Sequence, residues 1–339
     1  MTQKILVIGP SWVGDMVMAQ SLLRLLKQQK PDAQIDVLAP AWTFTLMSRM
    51  PEVHEAIAMP IKHGELKLKE RFQLAKQLRA KKYDQAIVLP NSFKSALIPF
   101  FARIPKRTGW LGECRYFLLN DYRRLDKKRY PLMVEQYLAL GVEPNAALPK
   151  EYPYPHFYVT KEAQDKTLAK CKPLWRGKPI LVLCPGGEYG PSKRWPEEYF
   201  AAVANQKIND GWDVWIFGSQ KDRPISEKIN ALTNNRCDDL CGRADLAEAI
   251  DLFSLVSGVV TNDSGLMHIA AALQKPVIAI YGSTSPAFTP PLSPNAQILK
   301  LNLDCQPCFE RECPLKHHRC MRDLTPAMVL AATAQWSAV

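Results

Sequence analysis

The chain has 339 residues, of which 47% are hydrophobic and 23% charged, and its formal net charge is +11 at pH 7. This length fits two domains of ordinary size better than a single core, and the composition indicates a soluble globular protein. No run of eighteen apolar residues occurs, and the first residues, MTQKILVIGP, are typical of a strand rather than a signal peptide, so we expect a cytoplasmic protein without a transmembrane helix. The excess of Lys and Arg fits an anionic partner: nucleic acid, an anionic membrane surface or a phosphorylated substrate.

The first 150 residues alternate between strand and helix patterns, which predicts a doubly wound α/β domain. Apolar runs predict strands at residues 4–9, 35–38, 56–59 and 85–89. Periodic apolar residues predict helices after the turn at 10–15, at 41–48 and at 66–81. Polar turns follow the carboxyl ends of two of these strands, and they contain Trp12, Asp15 and Lys94.

Residues 103 to 130 are dense in Lys and Arg, with aromatic residues among them. A basic, aromatic loop that faces a cleft could hold phosphates and sugar rings, with Arg107, Trp110 and Arg115 as candidates. A solvated basic surface is the alternative interpretation.

A proline-rich stretch from Pro144 to Pro155 predicts a linker between domains at 1–150 and 160–324. After it, the pattern predicts helices at 161–172, 197–209 and 245–255 and strands at 179–184, 213–217 and 239–240. The stretch 258–281 then predicts strand, turn, helix and strand, which is one βαβ unit. We expect the last helix, 325–337, to cross back onto the first domain.

Three turns of the second domain contain candidate ligand-binding residues. Asp263, Ser264 and Gly265 lie where a helix begins at the carboxyl edge of a parallel sheet, so the helix N–H groups converge there on an anion, and His268 lies one turn further along. Gly186 and Gly187 permit close backbone approach, Lys193 can reach a phosphate, and Asp222 follows a strand where a ribose diol often finds its acceptor. The alternatives are ordinary capping residues at Asp15 and Asp263 and a core imidazole at His268.

The nine cysteines, an odd number, are scattered except near the carboxyl terminus, which argues against a secreted disulfide framework. Cys305, Cys308, Cys313 and Cys320 follow one another at C-x2-C, x4 and x6 spacing beside His317 and His318. This density fits a small structural zinc site, and thiols that only pack or redox-dependent disulfides are the alternatives. We expect the cluster to lie away from the catalytic residues.

Two doubly wound domains whose strand carboxyl ends face each other across a cleft form the GT-B fold, and the motifs agree with it. The chain resembles glycosyltransferase family 9, the lipopolysaccharide heptosyltransferases, in three stretches: ILVIGPSWVGDMVMAQSL, CPGGEYGPSKRWPEEYF, and TNDSGLMHIAAAL with YGSTSP. The resemblance runs nearly the full length. The stretch LPNSFKSALIPFFARIPKRTGW is similar to the members that add the second inner-core heptose.

The resemblance implies an ADP-heptose donor and a lipopolysaccharide inner-core acceptor, Kdo-lipid A with one heptose, at the cytoplasmic face of the inner membrane. It implies no cofactor and no nucleic-acid partner. It also implies Asp15 as the general base and Lys193 as the group that stabilises the leaving diphosphate. Donor-binding positions are Gly186, Gly187, Lys193, Asp222, Asp263, Ser264, Gly265 and His268, and acceptor-binding positions are Trp12, Lys94, Arg107, Trp110 and Arg115. Where relatives carry hydroxyl residues, Gly186-Gly187-Glu188 offers only backbone donors and an acid.

The expected reaction is an inverting transfer without a metal, since no Asp-x-Asp follows a strand to hold Mg²⁺ against a diphosphate. One alternative is a family member that adds the first heptose or uses another acceptor. A non-enzymatic alternative is a basic nucleic-acid binder with a zinc knuckle, although no RNA-binding signature is present.

Overall fold

The computed structural model describes residues 2–62 and 64–336. The chain divides into two units, Met1–His156 and Phe157–Val339. The chain therefore passes from one unit to the next just beyond the proline-rich stretch.

The first unit is built on a six-stranded sheet of parallel strands in the order β3-β2-β1-β4-β5-β6. Its strands are β1 Lys4–Ile8, β2 Gln34–Ala39, β3 Glu55–Ala58, β4 Gln85–Val88, β5 Lys106–Trp110 and β6 Asp121–Arg123. Its α-helices are α1 Val13–Gln29, α2 Phe44–Met47, α3 Leu68–Arg79, α4 Leu97–Phe101 and α5 Met133–Leu138, with 3-10 turns at Ala41–Thr43 and Phe93–Ala96.

The second unit repeats this plan with a six-stranded parallel sheet in the order β12-β11-β10-β7-β8-β9. Its strands are β7 Ile180–Cys184, β8 Asp213–Ile216, β9 Asp238–Asp239, β10 Gly258–Asn262, β11 Val277–Tyr281 and β12 Ala296–Lys300. Its α-helices are α6 Lys161–Cys171, α7 Glu197–Asn209, α8 Arg223–Leu232, α9 Leu246–Phe253, α10 Gly265–Ala272, α11 Arg319–Arg322 and α12 Pro326–Ala332, with 3-10 turns at Pro191–Lys193 and Gln220–Asp222.

The central strands of both sheets are buried on both faces because helices cover each side. Strands β7, β10 and β11 are buried at every residue, as parallel strands between two helix layers should be. Since all strands of a parallel sheet point the same way, the turns that follow them collect at one edge, which is where a ligand binds in this architecture.

The structure contains elements that the sequence patterns did not predict. Strands β5 and β6 lie inside the stretch interpreted as a basic loop, and α5, α8 and β12 were also missed. Edge strand β12 is mostly exposed, and strands β5 and β6 carry Lys106, Arg107 and Asp121, so none of the three strands shows a continuous apolar run. Helix α8 begins at Arg223-Pro224, and a proline at the first turn of a helix resembles a break in the sequence.

The described part of the last helix packs against α7 within the second unit, and the expected crossing onto the first unit stays a prediction. Val329 and Ala332 of α12 are buried in the same core cluster as Phe200 and Val203 of α7. The indole N–H of Trp195 also donates to the carbonyl of Leu324, just before the helix, at 2.7 Å. Residues 337–339 lie outside the described part of the chain.

The end of the first unit is held to α1 by two side chains. The amide of the fully buried Gln20 donates to the carbonyl of His156 at 2.8 Å and accepts from the N–H of His156 at 2.9 Å. Arg24, one turn further along α1, donates to the carbonyl of Tyr154. The proline-rich stretch is thus fixed to the first unit at its end.

Candidate active site

The predicted donor-binding residues all follow strands of the second unit, and one ion pair joins two of their turns. The ammonium of Lys193 lies 2.6 Å from the carboxylate of Asp263, and both side chains are largely buried, at 15% and 7% exposure. Asp263 also accepts a hydrogen bond from the hydroxyl of Thr284 at 2.6 Å. The turns after the adjacent strands β7, β10 and β11 are therefore tied together at one carboxylate. The ring of Tyr189 lies 5.1 Å from the ammonium, a cation–π contact.

Asn262, which the sequence analysis left without a role, fixes the turn that carries Lys193. Its side-chain amide donates to the carbonyl of Pro185 at 2.7 Å, and its oxygen accepts from the N–H of Trp195 at 3.2 Å. These two bonds hold both ends of the 185–195 turn against β10. The signal in the sequence was an amide residue at the last position of a buried strand, where a polar side chain needs a specific partner.

Gly186 is required by the close approach of Asp222. A Cβ atom at Gly186 would lie 2.8 Å from the Asp222 carboxylate, whereas a Cβ at Gly187 would make only ordinary contacts. One oxygen of Asp222 accepts from the N–H and hydroxyl of Ser219 at 2.8 and 2.7 Å, so it caps its own turn. The other carboxylate oxygen of Asp222 is the one that could accept a hydrogen bond from a ribose hydroxyl, and this ribose-binding role stays a prediction.

The amino terminus of α10 is open to an anion. Ser264 occupies the N-cap position in an extended conformation, but its hydroxyl caps no helix N–H and lies instead 3.3 Å from the hydroxyl of Thr261. The first N–H groups of the helix, from Gly265 onward, therefore carry no side-chain cap, and the helix dipole adds partial positive charge there. Because Asp263 directly precedes this turn, Lys193 and the helix terminus belong to one site.

His268 is a buried neutral group. Burial lowers the pKa of His268 to about 4, with the charge of Asp263 raising the pKa and that of Lys193 lowering it. The imidazole is therefore uncharged at neutral pH in the unliganded protein, where it can act as a packing or hydrogen-bonding group.

Asp15 lies in the first turn of α1, after β1 of the first unit. Within the described chain its carboxylate makes no hydrogen bond or ion pair, and burial raises the pKa of Asp15 to about 6. A helix amino terminus favours the charged form of an acid, but here the cost of burying the carboxylate outweighs that effect. Tyr137 of α5 is its neighbour, since burial and the charge of Asp15 both raise the pKa of this phenol. Asp15 remains mostly ionised at pH 7, and a pKa near 6 suits a general base.

Two of the predicted acceptor-binding residues are structural, which corrects the interpretation of the basic stretch. Trp110 is buried at 4% exposure, and its indole N–H donates to the carbonyl of Gln136 at 3.0 Å. Arg115 is fully buried, and its guanidinium donates to the carbonyls of Trp110, Pro90 and Ser92. Neither side chain is placed to contact a ligand.

Arg115 joins the turns that follow β4 and β5. The guanidinium also donates to the hydroxyl of Ser95 at 3.0 Å. Gly112 packs so closely that a Cβ there would lie 2.6 Å from the carbonyl oxygen of Asn91, and the carboxylate of Glu113 accepts from the N–H of Phe93 at 2.6 Å. The two turns therefore form one rigid surface at the sheet edge.

The other predicted acceptor residues divide between structural and accessible positions. Arg107 donates to the carbonyls of Leu118 and Ile104 at 2.8 and 2.7 Å, so much of its hydrogen-bonding capacity is used. Trp12, at the N-cap of α1, is 59% exposed. Lys94 is partly exposed, and its backbone carbonyl accepts from the buried Arg71, another residue that the sequence analysis missed. Trp12 and Lys94 are the predicted residues with side chains available to an acceptor.

Comparison with known proteins assigns the chain to a family. The sequence model of glycosyltransferase family 9 (heptosyltransferase) matches residues 71–319. Lipopolysaccharide heptosyltransferase 2 of Salmonella typhimurium is 49% identical over 336 residues, which cover 96% of both chains. Lipooligosaccharide heptosyltransferase 2 of Haemophilus ducreyi is also 49% identical, over 96% of this chain and 97% of its own.

A solved structure agrees with this assignment. The Escherichia coli ADP-heptose lipopolysaccharide heptosyltransferase II superposes with a TM-score of 0.88 at 45% identity, over 98% of each chain. The predicted GT-B fold class is thereby confirmed. Of the described helices, none is both long enough and apolar enough to span a bilayer. The chain belongs to glycosyltransferase family 9, the heptosyltransferases.

Proposed function

We propose that the protein transfers L-glycero-D-manno-heptose from ADP-heptose onto a lipopolysaccharide inner-core acceptor that already carries one heptose. The observation that carries this proposal is the 49% identity, over 96% of both chains, to a protein named heptosyltransferase 2. The open amino terminus of α10 beside Lys193 supports it, because such a site binds the diphosphate of a nucleotide sugar.

The chemistry divides between the two groups of residues. Asp15 takes the proton from the acceptor hydroxyl as that oxygen attacks the anomeric carbon, so one displacement inverts the centre without a covalent intermediate. Lys193 and the N–H groups of α10 stabilise the charge that develops on the departing ADP. Asp263 holds Lys193 in place before the donor binds, which lowers the entropic cost of positioning the ammonium.

We also propose that the protein associates peripherally with the cytoplasmic face of the inner membrane, where its acceptor is anchored. The first unit exposes aromatic side chains within its basic stretch: Phe117 is 89% exposed, and Tyr116 and Tyr122 are 44% and 47% exposed. Residues 103 to 130 carry nine Lys and Arg against three Asp and Glu. Positive charge attracts anionic headgroups, and exposed aromatic rings insert at the interface. Binding to anionic vesicles but not to neutral ones, weakened in Phe117→Ser, would support this surface.

The decisive experiment is incubation of the protein and ADP-heptose with core acceptors that bear zero or one heptose. Mass spectrometry should show one added heptose only on the acceptor that already bears one. Product from the heptose-free acceptor alone would identify a transferase of the first heptose instead. Salt-dependent RNA binding without any transfer would favour the nucleic-acid binder. A short exposure to EDTA should leave the rate unchanged, because no step of the proposed mechanism uses a dissociable metal. Loss of activity that added Mg²⁺ restores would contradict the metal-free mechanism.

A further inference from the structure

The carboxyl-terminal cysteines surround one small cavity. Cys305, Cys308, Cys313 and Cys320 all line it, together with His317, His318, Ser192, Gly282 and Ser283. All four thiols are free, and each is partly buried. Four sulfurs around one cavity, from a stretch of sixteen residues, are the donor set of a small thiolate metal site.

One further observation fits a cation at this position. Gln306, which also lines the cavity, donates from Nε2 to the carbonyl of Tyr281 at 3.0 Å, but its buried Oε1 has no hydrogen-bond partner in the described chain. An unpaired acceptor there fits a cation or a water bound to it.

The sulfurs are not yet at bonding distance from a common centre. A tetrahedral zinc site with 2.3 Å bonds places its sulfurs about 3.8 Å apart. Among the described residues, no three of the four cysteine sulfurs lie within 4.8 Å of one another. The group of metal-ligating side chains that meets this distance is Asp36, His54 and Glu55, and Lys81 already pairs with both acids of that group. The cysteines must therefore close on their cavity, which requires rotation of their side chains and small shifts within residues 301–318, a stretch without helix or strand.

We propose that Cys305, Cys308, Cys313 and Cys320 bind one structural Zn²⁺. Thiolates select Zn²⁺ among the common divalent cations of the cytoplasm because the ligands are soft and the site is tetrahedral. The metal replaces four thiol protons, which pass to solvent, and leaves a centre of net charge −2.

The segment that the metal would close also supports the turn that carries Lys193. Ser192 donates from its backbone N–H to the carbonyl of Arg311 at 3.1 Å and from its hydroxyl to the carbonyl of Glu310 at 2.5 Å. The hydroxyl of Tyr189 donates to the carbonyl of Phe309. Residues 309–311 lie between Cys308 and Cys313, so the expectation that the cysteine cluster lies away from the catalytic residues is wrong for Lys193. Zinc would act here as a positioning element for the donor site.

The first test measures the metal itself and does not depend on activity. Wild-type protein purified without chelator should contain about one zinc per chain, and replacement by Co²⁺ should give sulfur-to-metal charge-transfer bands and tetrahedral d–d bands. Cys308→Ser and Cys320→Ser should lose the metal, whereas Cys114→Ser, a change at an exposed cysteine of the first unit, should keep it. Wild-type protein that lacks zinc and takes up no Co²⁺, disulfides among the four cysteines, or zinc retained by the double Cys308→Ser/Cys320→Ser variant would overturn the site.

The second test concerns positioning, which rests on the proposed function. Removal of zinc from folded protein should weaken ADP binding on the order of tenfold, as loss of a supporting shell does at other sites, and added Zn²⁺ should restore it. Unchanged ADP affinity in zinc-free protein would overturn the positioning role. Because zinc content is measured separately, failure of the metal site and failure of the donor assignment give different results.

Discussion

Replacement of Asp15 by Asn should make the protein more stable at neutral pH while it loses most of its activity. The pKa of Asp15 is about 6 in the folded protein against 3.8 for a free aspartate, because burial disfavours the charged form. The folded state thus binds the proton more tightly than the unfolded state does. Stability from this group is fully present below about pH 4 and is lost as the pH rises through about 6. The difference corresponds to about 3 kcal/mol at pH 8 and to about half of that at pH 5.

An asparagine is neutral at every pH and avoids this cost, although it gives up about 0.3–1 kcal/mol of favourable charge at the helix terminus. Urea unfolding should therefore show Asp15→Asn to be about 2 kcal/mol more stable than wild type at pH 8, with a smaller gain at pH 5. The exposed Asp32, in the turn between α1 and β2, provides the control: Asp32→Asn should change little at either pH.

The same variant tests the proposed base. If Asp15 accepts the acceptor proton, kcat should fall by roughly 10²- to 10⁴-fold while ADP-heptose still binds, and the wild-type rate should decline below about pH 6. A near-normal kcat would remove Asp15 from the mechanism. A variant less stable than wild type by the same amount at both pH values would refute the burial argument.

Three other substitutions test the remaining assignments. Lys193→Ala should lower kcat by about 10²- to 10³-fold and Lys193→Arg by less, since either charge can stabilise the diphosphate; steady-state kinetics that show no change would exclude Lys193 from that role. Arg115→Ala should lower the free energy of unfolding by about 3–5 kcal/mol in urea melts, because it leaves buried carbonyls unpaired. The control Arg124→Ala, at an exposed position, should leave the free energy of unfolding unchanged. An Arg115→Ala protein as stable as wild type would contradict the structural role of Arg115. Lys94→Glu should raise the acceptor KM about tenfold with little change for ADP-heptose, while Lys128→Glu serves as the surface control; equal losses for both substrates would argue against acceptor binding.

The fold was largely predictable because its central strands are buried on both faces. Runs such as Ile180–Cys184 and Val277–Tyr281 are continuously apolar and end at turn residues, which few other structures produce. Two of the four edge strands were not predictable in this way. Edge strands β6 and β12 have one flank and part of a face in solvent, so their side chains follow no apolar pattern.

The turns proposed to bind the donor could be picked out in the sequence because each follows a buried strand and contains glycine, an acid or a lysine. The acceptor-binding residues could not be identified in the same way, because the sequence does not show whether an arginine side chain points toward a ligand or into the protein. The guanidinium of Arg115 donates to backbone carbonyls of two turns, and this becomes visible only when the paths of those turns are known. The pKa of Asp15 likewise depends on the residues that cover it, which lie far away along the chain, such as Tyr137.

The pairing of Gln20 with His156 determines where the chain can be divided. A primary amide presents a donor and an acceptor side by side, so Gln20 satisfies both backbone groups of His156 as a neighbouring strand would. The Nε2 group of Gln20 also donates to the carboxylate of Glu52 at 3.0 Å, but a cut at residue 150, inside the proline-rich stretch, would remove His156 and leave the buried amide oxygen of Gln20 unpaired, at a cost of about 1–3 kcal/mol. Separate expression of the first unit should therefore end no earlier than His156, and the stretch that looks in the sequence like a dispensable tether is the last structural element of that unit.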